Sequence, residues 1–335
     1  MRDPLGHHGD VEVGDLEDFA VNVYAGSRPS WLDAALRASL DDLGSYPSAT
    51  AAEAALARRH GRSPDQVLAT AGAAEAFTLL ARWRPWRHPV VVHPQFTEPH
   101  AALELAGHRV ATVVCGAEDG FRLDPDRVPD DADLVVIGNP TNPTGALHPA
   151  SAVQALVRPG RVVVVDEAFM DCVPGETETM TGAPGTGLVV VRSLTKHWGI
   201  PGVRAGYLLA SVDAVAQLRS RQSPWSVATT AAAAMVACAS AEAVAEGERR
   251  AREIAGWRVH LESALTDLGV AHAPSQASFV LARVGAGTHA RLRMAGVAVR
   301  RADTFPGLDD TWVRIAVRPP QTTRRLLHLL PAAMP

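Results

Sequence analysis

Five valine-rich runs with no polar alternation set the strongest limit on how this chain can fold: Pro89–Val92, Val110–Val114, Leu134–Ile137, Val162–Val165 and Leu188–Val191. A strand with one face in water alternates apolar and polar residues, whereas a run that is apolar throughout is covered on both faces. Segments of helical character lie between the runs. Thr50–Arg59 carries Thr50 and Glu53 at capping-box spacing with Gly61 as a stop, and Ala74–Arg82 leads into the first run. Such alternation predicts an α/β fold, a mostly parallel central sheet sandwiched by helices. After about Ser223 the texture changes to a long Ala/Glu/Arg-rich helical stretch, then shorter strand-like pieces at Phe279–Ala282 and Trp312–Val317. This pattern predicts a smaller α+β domain over residues 226–335, joined by an N-terminal segment 1–30, with 31–225 as the large domain.

Polar clusters fall just behind the runs: His93-Pro94-Gln95-Phe96, Asn139-Pro140-Thr141-Asn142, Asp166-Glu167, and Ser193 to Lys196. In open α/β sheets ligands bind beyond the carboxyl ends of the strands, so four strands deliver chemistry to one edge. Lys196 stands at the rim of a buried sheet, where desolvation disfavours the ammonium and leaves an amine able to form a Schiff base with an aldehyde. Ser193 and Arg204 flank it and can hold a phosphate, the arginine through its planar fork of donors. Lysine, hydroxyl and guanidinium in that order suggest pyridoxal 5′-phosphate. Asp166 ends a strand; it can cap the next turn or, thirty residues before such a lysine, pair with the cofactor's pyridine nitrogen. Asn142 lies in a proline-braced loop that is either a plain turn or a support presenting its amide to the phenolic oxygen. Gly72, Ala73 and Ala74 open a helix with side chains small enough for backbone N–H groups to reach a phosphate. Phe96 offers a flat face to a pyridine ring, although most phenylalanines so placed are core.

The 335 residues carry a net charge of −4 and no basic stripe, which argues against a nucleic-acid partner. Met1 to His8 lack the apolar core of a signal peptide, and the apolar stretch 231–239 is too short to span a bilayer. Cys115, Cys172 and Cys238 are scattered, with no metal or redox spacing. The expectation is a reduced, cytoplasmic protein without a metal or a membrane.

Tyr46-Pro47, Gly72-Ala73-Ala74-Glu75, Pro94-Gln95-Phe96, the run 139–145, Asp166-Glu167-Ala168-Phe169 and the run 193–206 together resemble the class I/II aminotransferases, the fold type I pyridoxal-phosphate enzymes. The resemblance runs in order over nearly the whole chain. It implies Lys196 as the Schiff-base residue, Asp166 as the pyridinium partner, Asn142 as donor to the phenolic oxygen and Phe96 as the stacking ring. It also implies Ala73, Ala74, Ser193 and Arg204 at the phosphate, and a homodimer in which Tyr46 reaches the other subunit's site. Lys196, Asp166, Asn142 and Arg204 present together set the chain apart from a non-catalytic relative.

Within the family the likeness is to histidinol-phosphate aminotransferases and to L-threonine-O-3-phosphate decarboxylases of cobalamin biosynthesis. His7-His8-Gly9-Asp10, Asp18-Phe19-Ala20-Val21-Asn22 and the stretches 298–308 and 313–318 resemble the decarboxylase group, and 96–99 and 300–308 its actinobacterial branch. Phe169, where the aminotransferases generally carry tyrosine, leans the same way; Ser278 and Ala228 replace asparagines in regions that contact substrate in relatives. The resemblance implies a small phosphorylated amino acid as substrate. A substrate with a carboxylate and a phosphate needs two cationic clamps: Arg314, with Asn22 nearby, for the carboxylate, and Arg300 with Arg318 and His7 for the phosphate. The expected reaction is decarboxylation of L-threonine O-3-phosphate to (R)-1-amino-2-propanol O-2-phosphate; the alternative is a histidinol-phosphate-type transaminase using glutamate and 2-oxoglutarate.

Overall fold

The computed structural model describes residues 4–7, 9–183 and 185–335; His8, in the N-terminal motif, and Met1 to Asp3 lie outside them. Twelve strands are found among the described residues. In chain order they are β1 (Glu17–Phe19), β2 (Val67–Ala71), β3 (Pro89–His93), β4 (Ala111–Val114), β5 (Leu134–Gly138), β6 (Val162–Asp166), β7 (Leu188–Ser193), β8 (Ala205–Leu209), β9 (Ala271–His272), β10 (Phe279–Arg283), β11 (Val297–Arg301) and β12 (Trp312–Ala316). A seven-stranded sheet runs β2-β8-β7-β6-β5-β3-β4, and a five-stranded one runs β1-β11-β12-β10-β9.

All five valine-rich runs are strands of the larger sheet, parallel from β4 through β3, β5 and β6 to β7. Both faces are covered along β3, β5, β6 and β7; β4 departs from the expectation, since at the edge of the sheet only Val113 of its four residues is buried. Val162, Val164, Val189 and Val191 pack with Phe77, Leu80 and Leu103 on one side, while Val163, Val165 and Val190 pack with Leu56, Leu156 and Trp198 on the other. Each fully buried valine contributes roughly 1.5–3 kcal/mol relative to exposure. The non-alternating sequence is therefore the direct trace of two-sided burial. β2 and β8 were not anticipated. Their sequences, Val-Leu-Ala-Thr-Ala and Ala-Gly-Tyr-Leu-Leu, are diluted by small residues, and they close the sheet edge as an antiparallel pair.

The helix Thr50–Arg59 forms as expected, with Gly61 at φ +62° after it, but the capping box does not. Glu53 instead turns inward, where Oε1 accepts from Ala69 N at 3.1 Å and from Arg219 Nη1 at 3.0 Å. Tertiary partners of β2 outcompete a local cap. The helix Thr229–Cys238 packs Ala231, Ala234 and Met235 into the core that holds Leu32 and Leu56. The 27-residue helix Ala241–Asp267 follows and packs Ile254, Leu261 and Leu265 under the smaller sheet. The N-terminal chain joins that sheet through β1, parallel to β11. No helix among the described residues is long and apolar enough to cross a membrane.

Candidate active site

A cavity of about 470 Å³ opens beyond the carboxyl ends of β5, β6 and β7, closed on the far side by Asn22 and by Arg314 of β12. Ala73, Ala74, Phe96, Asn142, Asp166, Ser193, Lys196 and Arg204 all line it. The sheet explains the convergence. Asp166 and Ser193 are the last residues of two neighbouring parallel strands, and Asn142 follows the end of a third.

Lys196 Nζ donates to Thr195 Oγ1 at 3.3 Å, and Thr195 Oγ1 lies 2.8 Å from Ser193 Oγ. Burial lowers the Lys196 ammonium from 10.5 to about 8, helped by Arg204 and Arg314 and opposed by the Asp166 carboxylate. Asp166 is pushed up to about 6 by burial, against the Ala168 N–H and Lys196, which pull it down. Its Oδ1 accepts from Ala168 N at 3.1 Å, which orients the carboxylate at the strand end.

The phosphate cradle is built by omission. Gly72 adopts φ +77°, and a Cβ there would lie 2.5 Å from Arg204 Nη2. A Cβ on Gly206 would lie 2.7 Å from the Gly72 carbonyl carbon and 2.8 Å from Ala73 N. Only glycine lets these backbones meet, and the contact brings Arg204 beside the N-terminus of the helix Ala73–Ala81. The first N–H groups of that helix have no intrahelical partner and suit an anion. Arg204 itself is in the left-handed region at φ +59°, with Nη1 on Pro201 O at 3.0 Å. Helix end, Ser193 hydroxyl and Arg204 fit a phosphate. Lys196 fits the aldehyde, and Asp166 fits a protonated ring nitrogen. The residues present match pyridoxal phosphate.

On the opposite wall, Arg314 Nη1 donates to Asn142 Oδ1 at 2.5 Å and Nη2 to Ala20 O at 2.6 Å. With its amide oxygen facing the guanidinium, Asn22 accepts from Arg314 Nε and Nη1 at 3.2 and 3.0 Å. Asp18 Oδ1 shapes the turn that delivers Asn22 by accepting from Ala20 N and Val21 N at 2.8 and 2.9 Å. Among the described residues Arg314 has no carboxylate partner. Burial, then the neighbouring Arg300, hold its guanidinium well below the ordinary range. A buried cation with only neutral partners is poised for an anion.

The structure does not bring every expected residue to the cavity. Arg300 is buried with Nη2 on His7 O and Thr304 Oγ1, both at 2.7 Å, and does not line the cavity. Arg318 spends its donors on the carbonyls of Asp18, Val21 and Val23 and on the Asp18 carboxylate. His7 Nε2 sits 2.6 Å from Glu12 Oε1. These three hold the N-terminal chain in place; the expected second cationic clamp is not assembled. Tyr46 is 78% exposed, stacks on Trp225 with ring centroids 4.4 Å apart, and is outside this chain's own cavity. Conversely, Thr195 and Glu98 line the cavity without having been assigned a place there, and Gly9 and Asp10 line it in keeping with the N-terminal motif that resembles the decarboxylase group. The hydroxyl of Thr195 between Ser193 and Lys196 was a readable signal; Glu98, at the start of a helix after β3, gave none.

A larger cavity, about 810 Å³, lies on the far side of Trp198 and is bordered by Arg59, Asp171 and Glu176. Those charges are already paired. Arg192 reaches Glu167, Asp171 and Glu176 at 3.0, 2.5 and 2.8 Å, and Arg59 reaches Asp171 and Glu176 at 3.2 and 3.3 Å. The smaller cavity holds the chemistry.

Fold and site together define a pyridoxal-phosphate-dependent enzyme. The chain belongs to the class I and II aminotransferases, whose family model matches residues 14–330. A histidinol-phosphate aminotransferase of Mycobacterium tuberculosis is 44% identical over 93% of this chain and 87% of its own length. A threonine-phosphate decarboxylase of Salmonella typhimurium is 31% identical over 96% of this chain and 92% of its own. In fold, the crystal structure of the histidinol-phosphate aminotransferase from Clostridium acetobutylicum matches with a TM-score of 0.87 at 22% identity, covering 95% of this chain and 98% of that one.

Proposed function

We propose that the protein is an aminotransferase of the histidinol-phosphate type, exchanging an amino group between an amine with one anionic end and 2-oxoglutarate. One observation carries the reading: among the described residues one buried cation without a carboxylate partner, Arg314, faces the substrate side, while Arg300 and Arg318 are engaged by the N-terminal backbone. An amino-alcohol phosphate has one anionic end, which this guanidinium can satisfy, and glutamate can take it in turn with one of its two carboxylates. The name of the 44% identical relative supports the same choice.

When bound, pyridoxal phosphate supplies an electron-withdrawing ring that stabilises negative charge at the substrate carbon. In this reading Arg204, Ser193 and the N–H groups of Ala73 and Ala74 hold its phosphate, and Gly72 gives Arg204 room. Asp166 would keep the ring nitrogen protonated, Asn142 would donate to the phenolic oxygen and Phe96 would stack on the ring. Lys196 Nζ would hold the aldehyde carbon and, once displaced by the substrate amine, would take the proton from the substrate Cα and return it two atoms on, at that same carbon. Arg314 fixes the substrate's anionic end and thereby decides which Cα bond is presented. A homodimer supplies Tyr46 to the partner's phosphate. The division into large and small domains belongs to the same reading, with the junction near Ser240, because Thr229–Cys238 packs on the large sheet.

Decarboxylation of L-threonine O-3-phosphate is the second reading, favoured by Phe169, which places no hydroxyl at the cavity wall and packs edge-on against Phe279. The name of the 31% identical relative points the same way. Mass spectrometry of holoenzyme incubations separates the two. Glutamate formed from histidinol phosphate only when 2-oxoglutarate is present supports transamination. Aminopropanol phosphate formed from threonine phosphate without a keto acid overturns it in favour of decarboxylation.

A further inference from the structure

The loop that carries Asn142 is held from behind by a histidine that the site does not otherwise use. His148 lies shortly beyond Asn142, just before the helix Ala150–Ala155, and is only 2% exposed. Resting on the reading of Asn142 as donor to the phenolic oxygen, we propose that His148 is a positioning residue. Through Thr141 it fixes the Asn142 amide, and thereby sets how readily the cofactor's phenolic oxygen carries negative charge.

The protons of this contact can be arranged in one way. Leu123 N lies 3.2 Å from His148 Nδ1, and a backbone N–H can only donate, so Nδ1 accepts and the ring proton is on Nε2. Nε2 donates to Thr141 Oγ1 at 3.0 Å. The Thr141 hydroxyl in turn donates at 2.6 Å to the carbonyl of Gly138, the last residue of β5. A charged ring would set a second N–H against that of Leu123; burial, which pushes His148 down to about 4, keeps it neutral. The main chain of His148 is fixed as well. Its N donates to Asn139 Oδ1 at 2.8 Å, and its O accepts from Asn139 Nδ2 at 3.1 Å. Asn139 N donates to Asp166 O at 2.8 Å, so the brace is anchored on the strand end that carries the site's carboxylate. Thr141 cannot turn without losing both of its hydroxyl's bonds, and its Cα would lie 3.3 Å from a Cβ on Gly138. Asn142 follows directly. Its Oδ1 is taken by Arg314 Nη1 at 2.5 Å, so what it offers the cofactor is Nδ2.

A donor at the phenolic oxygen favours its charge most once the proton shared with Lys196 Nζ has left. A looser Asn142 therefore raises the pH at which the bound cofactor's absorbance changes. The test follows that midpoint in the holoenzyme, and the cofactor Kd by fluorescence titration of the cofactor-free protein. His148→Met and Thr141→Val are each expected to raise the midpoint by about 0.5–1 unit, roughly a three- to tenfold change in the ionisation, and to weaken cofactor binding. The double variant should shift no further than either alone, because both break one connection. His148→Gln keeps a neutral N–H donor and Thr141→Ser keeps the hydroxyl, so both should stay within about 0.2 unit of the wild type. If His148→Met does not fold, the Thr141→Val and Thr141→Ser pair reads the same connection from its other end. An unmoved midpoint in Thr141→Val, additive shifts in the double variant, or a His148→Gln shift as large as that of Thr141→Val overturns the proposal. Asn142→Ala keeps the two readings apart. If it moves the midpoint and Thr141→Val does not, the proposal alone falls; if it leaves the midpoint in place, the reading of Asn142 falls with it.

Discussion

The ionisation of Lys196 should govern how fast cofactor-free protein captures its aldehyde. Only the neutral amine is a nucleophile, and burial beside Arg204 and Arg314 brings Lys196 from 10.5 to about 8. At pH 7.5 about a quarter of the molecules then carry a neutral Lys196, against about one in a thousand for an ordinary lysine, a gain of roughly 200-fold. Cofactor-free protein mixed with pyridoxal phosphate and followed by absorbance should show a capture rate rising about tenfold per pH unit, then levelling near pH 8. Asp166, itself ionised above about 6, is the group that holds the ammonium on. Asp166→Asn should therefore move the midpoint down, and Arg204→Gln should move it up. Stability follows the same sign. The unfolded lysine at 10.5 binds its proton more tightly than the folded one at about 8, so this group makes the cofactor-free protein more stable as pH rises through that window. A rate still climbing above pH 10, or an upward midpoint shift in Asp166→Asn, would refute the reasoning.

Gly72→Ala should cost about 1–3 kcal/mol in backbone strain and push Arg204 aside, so both the melting temperature and cofactor affinity fall; an unchanged affinity by fluorescence titration would contradict the cradle. Arg192→Leu should cost about 3–5 kcal/mol in urea unfolding, because Glu167, Asp171 and Glu176 lose their shared buried cation; a loss under about 1 kcal/mol would show that the network relaxes.

Much of the fold is written locally. A valine run buried on both faces leaves no choice of inward side, so β3, β5, β6 and β7 are legible residue by residue. Residues at the ends of those strands inherit that clarity: Asp166, Ser193, Lys196 and Asn142 converge because parallel neighbours end together. The end of the sheet beyond β7 is different. β2 and β8 are diluted by small residues, and the antiparallel pairing of β2 with β8 and of β8 with β7 is not written in their own pattern. Glu53 shows the same competition, since its capping position was readable and its inward partners, Ala69 and Arg219, were not.

Arginines mark the boundary most sharply. The sequence by itself determined the α/β class and the expectation of pyridoxal phosphate, and it put Lys196, Asp166, Ser193 and Arg204 forward as the set to hold it, because these readings depend on a residue's place at or just beyond the end of a strand. Only the tertiary structure decided that Arg314 faces the cavity while Arg300 and Arg318 turn to the N-terminal backbone. It also decided that Asp10 and Glu98 line the same cavity. The reason is physical: a long guanidinium can reach several acceptors, and which one it takes depends on carbonyls supplied by a chain segment about 300 residues away in sequence.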